Sequence, residues 1–209
     1  MKIPLPIKCS SCGRQHNIFV KLDDTDIGDS VCACGEEIFG SLDGTVTIGD
    51  KLLWRSKYEF SNNKDYPLSI VFAAASLDCE LSRLFFKWSL IEELESEFDI
   101  SDEELEKKLR SFSNIKSKIE KVSQLMAPES FTQSVLDSTE LKEMIERGFP
   151  TLDINNLSKS FQEKLFWPRN RILHLGASDY GEKEATICFN VAELGLRILS
   201  CLDEKKCKC

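Results

Sequence analysis

Arg169, Asn170 and His174 fall within one short segment that reads Trp-Pro-Arg-Asn-Arg-Ile-Leu-His-Leu-Gly over positions 167–176. His174 is one of only two histidines in the chain. A guanidinium is permanently charged and grips a phosphate through parallel hydrogen bonds. An imidazole is the side chain best suited to move a proton near neutral pH. Together they offer a site for cleaving a phosphodiester with protein groups and no metal. On an ideal helix Asn170 and His174 stand one turn apart on one face. Arg169 lies roughly 140° round from His174, and its long side chain still reaches the same edge. Arg171 is also within a turn of His174 and is a supporting cation. Taken alone, so short a pattern arises often by chance, and the ordinary reading, an exposed Arg pair and a histidine filling a helix contact, prevails.

The elements that must position this segment are helical. From residue 65 onward the apolar residues recur at helical spacing. Over 68–98 one set comprises Leu68, Phe72, Ala75, Cys79, Phe86, Leu90 and Leu94, and a second set covers much of the other side. A helix apolar nearly all round belongs at the centre of a bundle or in a subunit interface. Ser101 with Glu104 forms a capping box. It opens a helix whose stripe runs through Leu105, Leu109, Phe112, Ile119, Val122 and Met126. A short helix is expected over 139–147, stopped by Gly148 and Pro150. The motif helix is expected over 158–175, kinked or restarted by Pro168 and stopped by Gly176. A last helix runs over 182–202.

Residues 1–49 differ, being short-period, turn-rich and strand-like. Residues 50–64 read as a connector, 65–203 as the helical domain and 204–209 as a flexible tail. The fold class is therefore mainly α, preceded by a small β module. In that module Cys9 and Cys12 form one close pair, and Cys32 and Cys34 another. Zn²⁺ favours four soft ligands in a tetrahedron, and paired cysteines on Gly-assisted turns supply two each. The segment resembles a zinc ribbon, with these cysteines in the matching positions, although one residue between Cys32 and Cys34 is a less common spacing. Four thiolates leave no open coordination place, so the zinc is structural and holds a module too small to fold on its own core. His16 then sits beside the first pair without ligating. Cys79 and Cys188 fall on apolar helix faces as core residues. Cys207 and Cys209 lie on the tail and, with Cys201, are either solvated or a further metal set.

The chain has nine cysteines and a net charge of -8. No uninterrupted apolar run reaches bilayer-spanning length, and the first residues are too short and Pro-rich for a signal peptide. The expected compartment is the cytoplasm, where cysteines are metal ligands or free thiols rather than disulfides. The acidic balance argues against non-specific coating of nucleic acid, so any RNA contact must come from a local basic patch.

The Arg-Asn-x-x-x-His pattern, late in a helical domain and followed by a Gly stop and one amphipathic helix, resembles the ribonucleases of the HEPN superfamily (higher eukaryotes and prokaryotes nucleotide-binding). The resemblance covers roughly residues 65–203 and is specific in the motif alone. It implies a four- or five-helix bundle that forms a homodimer, with two copies of the motif composing one RNA-cleaving site. It implies that His174 is the acid/base, that Arg169 stabilises phosphate charge and that Asn170 orients the site. Glu80 either pairs with Arg169 or faces solvent. A role in toxin-like growth restriction or defence, with tRNA among the substrates and a protein inhibitor or antitoxin as partner, follows from the family alone. Members modified by a nucleotidyltransferase antitoxin commonly carry Tyr two residues after the His, where this chain has Gly176. The alternative is a non-catalytic adaptor whose zinc module and bundle bind RNA or protein, which the acidic charge favours. A transcription-associated zinc protein is a third reading, weakened by the lack of a basic recognition helix.

Overall fold

The computed structural model describes residues 47–96, 101–112, 114–127, 131–149 and 152–207, together with the backbone of 2–8, 15–21, 30–31 and 37–38. In that backbone β1 (Lys2–Lys8) pairs antiparallel with β2 (Gln15–Lys21), and β3 (Ser30–Val31) with β4 (Glu37–Ile38). All else described is helical or connecting. The helices are α1 (Ile48–Tyr58), α2 (Tyr66–Ser96), α3 (Asp102–Arg110), α4 (Ile115–Met126), α5 (Phe131–Leu136), α6 (Thr139–Gly148), α7 (Leu157–Phe161), α8 (Trp167–Leu175) and α9 (Glu182–Cys207).

The long helix α2 is the axis of the fold. It packs against α1, α3, α4, α8 and α9, and Ile70, Ala73, Leu77, Leu81, Leu84 and Trp88 along it are buried. One side of α2 is thus covered by helices of the same chain, while Leu68, Phe72, Ala75, Cys79 and Phe86 stay half-buried and Leu90 exposed. The approach to α9 is close. A Cβ built on Gly195 would stand 2.9 Å from Leu77 Cδ1, so only glycine lets the two helices meet there without displacing Leu77. Further along, Asp203 of α9 accepts hydrogen bonds from Lys87 Nζ (2.8 Å) and Trp88 Nε1 (2.7 Å) of α2.

Several boundaries differ from expectation. Residues 50–64 are no connector. They form α1 and a wide π-helical turn over Glu59–Asn63. Thr47 and Asp50 cap α1 reciprocally, and polar contacts carry its inner face. Ser56 Oγ donates to the Ser69 carbonyl at 2.8 Å, and Glu59 is buried beside Arg55. The Ser101–Glu104 capping box opens α3 as expected. The helix breaks after Arg110, however, and restarts as α4, because Asn114 caps it by accepting from Ser117 N–H at 2.9 Å. The expected tail is helical through Cys207. By length and composition alone α9 is long and apolar enough to cross a membrane, although Glu193 and Arg197 interrupt its apolar run. Its apolar residues Val191, Leu194, Ile198 and Leu202 are buried against the other helices.

Candidate active site

The motif helix grows from a buried root. Leu157 and Phe161 of α7 and Leu165 and Phe166 of the following turn enter the core, and Phe161 packs against Phe131 with ring centroids 5.8 Å apart. Residues Gln162–Phe166 form a π-helical turn, in which Trp167 N–H donates to the Gln162 carbonyl. Pro168 then opens α8, where its missing N–H is tolerated. The carbonyl that Pro168 would have engaged one turn back, that of Lys164, accepts instead from the Cys188 thiol of α9 at 3.2 Å. Burial pushes the Cys188 thiol up to about 12, so it keeps the proton it donates. Gly176 ends α8 at φ 64°, its N–H donating to the Arg171 and Ile172 carbonyls.

Arg169, Asn170, Arg171 and His174 all belong to α8, none of whose residues is buried. Arg169 Nη1 donates to Asn170 Oδ1 at 2.8 Å. Two hollows flank this pair. One, of about 430 Å³, lies between α2, α4 and the motif helix; Asp78, Lys118, Gln162, Arg169 and Asn170 are among its lining residues. The other, about 400 Å³ and open, is lined by Trp167, Asn170, Arg171, His174 and Leu175. Trp167 and Asn170 line both. Within one chain, therefore, Arg169 and His174 address different hollows across a shared wall. Arg171 stacks over the Tyr180 ring, 5.8 Å from its centroid. Trp167, Leu173 and Leu175 are 53%, 50% and 75% exposed, and Trp167 and Leu175 stand on the side of the second hollow.

Glu80 does neither of the things expected of it. It is buried, and its two oxygens accept from Arg83 Nη2 at 2.6 Å and Nε at 3.0 Å. A partner three residues along the same helix wins over Arg169, which turns to Asn170. Lys118 was not foreseen. It is buried, with Nζ bonded to the Asp78 carboxylate, the Asp78 carbonyl (3.1 Å) and Ser82 Oγ (2.8 Å). A lysine beside the apolar stripe of α4 was the available signal. Cys79 lines the same hollow, its thiol pKa raised by burial and then by the Asp78 carboxylate.

Cys9, Cys12, Cys32 and Cys34, with Cys209, lie outside the described residues, as does the side chain of His16. Among the described residues, no group of three or more His, Cys, Asp or Glu side chains is arranged to hold a metal ion. Comparison of the chain with protein-family models, with curated proteins and with solved structures gives no match.

Proposed function

We propose that the chain is a metal-independent endoribonuclease with a HEPN-like helical domain, acting as a homodimer in which Arg169, Asn170 and His174 of two copies face one RNA strand. The observation that carries this reading is the grouping of all three on one face-exposed helix, with the Arg169–Asn170 bond already made. Exposed Trp167 and Leu175, beside the hollow that His174 lines, supply apolar surface for a second copy to cover. A two-fold pairing of α8 with itself brings two His174 together. One imidazole takes the proton of a ribose 2′-hydroxyl as its oxygen bonds to phosphorus. The other returns a proton to the departing 5′-oxygen, and Arg169 holds the charge that builds on the non-bridging oxygens. The product strand ends in a 2′,3′-cyclic phosphate.

The test is a labelled-RNA assay in EDTA, on tRNA and on single-stranded RNA, with the product ends identified and the mass in solution measured by light scattering. A dimer that leaves cyclic phosphate ends is expected. A monodisperse monomer, or wild type that cuts none of the RNA, hands the reading to the non-catalytic adaptor. The net charge of -8 favours that adaptor.

The same reading gives the N-terminal region a structural zinc held by Cys9, Cys12, Cys32 and Cys34, a soft tetrahedral set. In support, Lys8 pairs with Gln15 and Val31 with Glu37, so that backbone pairing closes each interval that carries two of these cysteines. Elemental analysis should find about one zinc per chain. Full occupancy in a Cys9→Ser, Cys12→Ser double variant would dismiss this ligand set.

A further inference from the structure

We propose that the hollow between α2, α4 and the motif helix is a base pocket, which seats one unpaired base of an RNA strand beside the phosphate addressed by Arg169 and His174. The proposal rests on the ribonuclease reading and adds to it the feature of RNA that is recognised. At about 430 Å³ the hollow falls in the range of sites for small ligands. It has room for one base and none for a duplex. Its floor is kept open by Ala74 and Ala75 of α2.

The lining groups match a base in kind. The Trp167 indole, half-exposed at the wall shared by both hollows, makes no ring contact and no hydrogen bond with another described residue. An exposed indole face is a stacking platform for any base. The Gln162 side-chain amide, in the same hollow and half-buried, also bonds to no other described residue. An amide offers a donor and an acceptor side by side, the pattern presented in reverse along a base edge. The wide turn brings these two groups together: Trp167 stands one turn beyond Gln162, joined to it by the backbone bond. Lys118, already neutralised by Asp78, gives the pocket a polar wall, and the charge left over in its lining is that of Arg169, which faces the phosphate.

Position supplies the link to the chemistry. Arg169 and Asn170 line this hollow, and Asn170 also lines the next one with His174. A base seated against Trp167 therefore carries its sugar and phosphate to the wall between the two. The base must be free of pairing to enter, so the strand read here is single-stranded or looped.

The experiment uses the full chain and two variants away from the motif triad, Gln162→Leu and Ala75→Leu. The first removes the amide, and the second adds side-chain bulk to the floor. Cleavage is mapped on a pool of RNA randomised around the cut. Wild type should show a base preference at one position next to the cut. Gln162→Leu should flatten it, and Ala75→Leu should raise KM by about tenfold or more, the loss of one stacked base, with kcat nearly kept. Identical preference and KM in all three proteins overturns the pocket and leaves the ribonuclease reading standing. Binding is read separately through tryptophan fluorescence with a short single-stranded oligonucleotide on His174→Ala protein, so the pocket is judged even if nothing is cut. Weakening of that binding by Ala75→Leu supports the pocket, and unchanged binding overturns it. Adenosine monophosphate bound as tightly as the oligonucleotide would make this a free-nucleotide site and overturn it as well.

Discussion

His174→Ala protein should fold and assemble like wild type and cut RNA at least about a hundredfold more slowly. His174 is exposed in the last turn of α8 and forms no hydrogen bond with another described residue, so its removal leaves no buried group unsatisfied. What is lost is proton transfer to and from the reacting oxygens. Arg169→Ala should fall at least as far, since charge on the phosphate oxygens then goes unanswered at a cost of about 3 kcal/mol in the transition state, roughly a hundredfold. Asn170→Ala should do less, because it loosens Arg169 by one bond of 2.8 Å without removing the cation. Arg171→Ala should do least, since that guanidinium lies over Tyr180. Rates from single-turnover cleavage, beside melting curves and light scattering for each variant, check the order. Equal cutting by wild type and His174→Ala would end the enzymatic reading.

Leu77→Ala should cost the fold about 2–5 kcal/mol. Leu77 is wholly buried where α2 meets α9, and its methyl groups lie against Gly195. Alanine leaves a void that two long helices cannot easily close. Gly195→Ala attacks the same contact from the other side. In wild type the new methyl meets Leu77 Cδ1 at 2.9 Å, and the overpacking should exceed the gain of about 1 kcal/mol in helix propensity. In the Leu77→Ala background the room exists, so the same change should stabilise. Urea unfolding of the four proteins tests this: strictly additive midpoint shifts would show that the two residues do not share one space.

Much of the helical body was readable from periodicity. α2 and α9 carry long apolar stripes, the Ser101–Glu104 box marks the start of α3, and Pro168 marks the restart that begins α8. What escaped has specific causes. α1 and the turn after it bury Ser56 and Glu59, which look like surface until Ser69 is seen to bond the one, and Asn63 and the Arg55 cation to hold the other. The break between α3 and α4 is hidden because Phe112, Ile115 and Ile119 continue the apolar stripe across it, and only the Asn114 cap gives it away. The all-round apolarity of α2 had two readings: five neighbours in one chain cover the side of Ala74, Leu77, Leu81, Leu84 and Trp88, and the side of Phe72, Ala75, Cys79, Phe86 and Leu90 stays partly open. For the candidate site, the placing of Arg169, Asn170 and His174 on one helix was legible from spacing. The hollow that joins Asp78, Lys118 and Gln162 was not, since it is assembled from segments far apart in sequence. The cysteine pairs fall outside what the structure describes.

The absence of any buried residue in α8 has an energetic corollary. Elements with few buried apolar contacts open at a free energy well below that of global unfolding. α8 is tied at its root by the Phe166 side chain and the wide turn, and at its end by the glycine cap. Between those points the groups that would do chemistry ride on a helix held through half-buried Ile172 and its contacts with α2, with no residue fully buried. Precise geometry there must come from whatever lies on top of it. On the reading proposed above, that cover is a second copy, so the isolated chain is a latent form and activity rises steeply with concentration. Dilution would then silence the protein without an inhibitor.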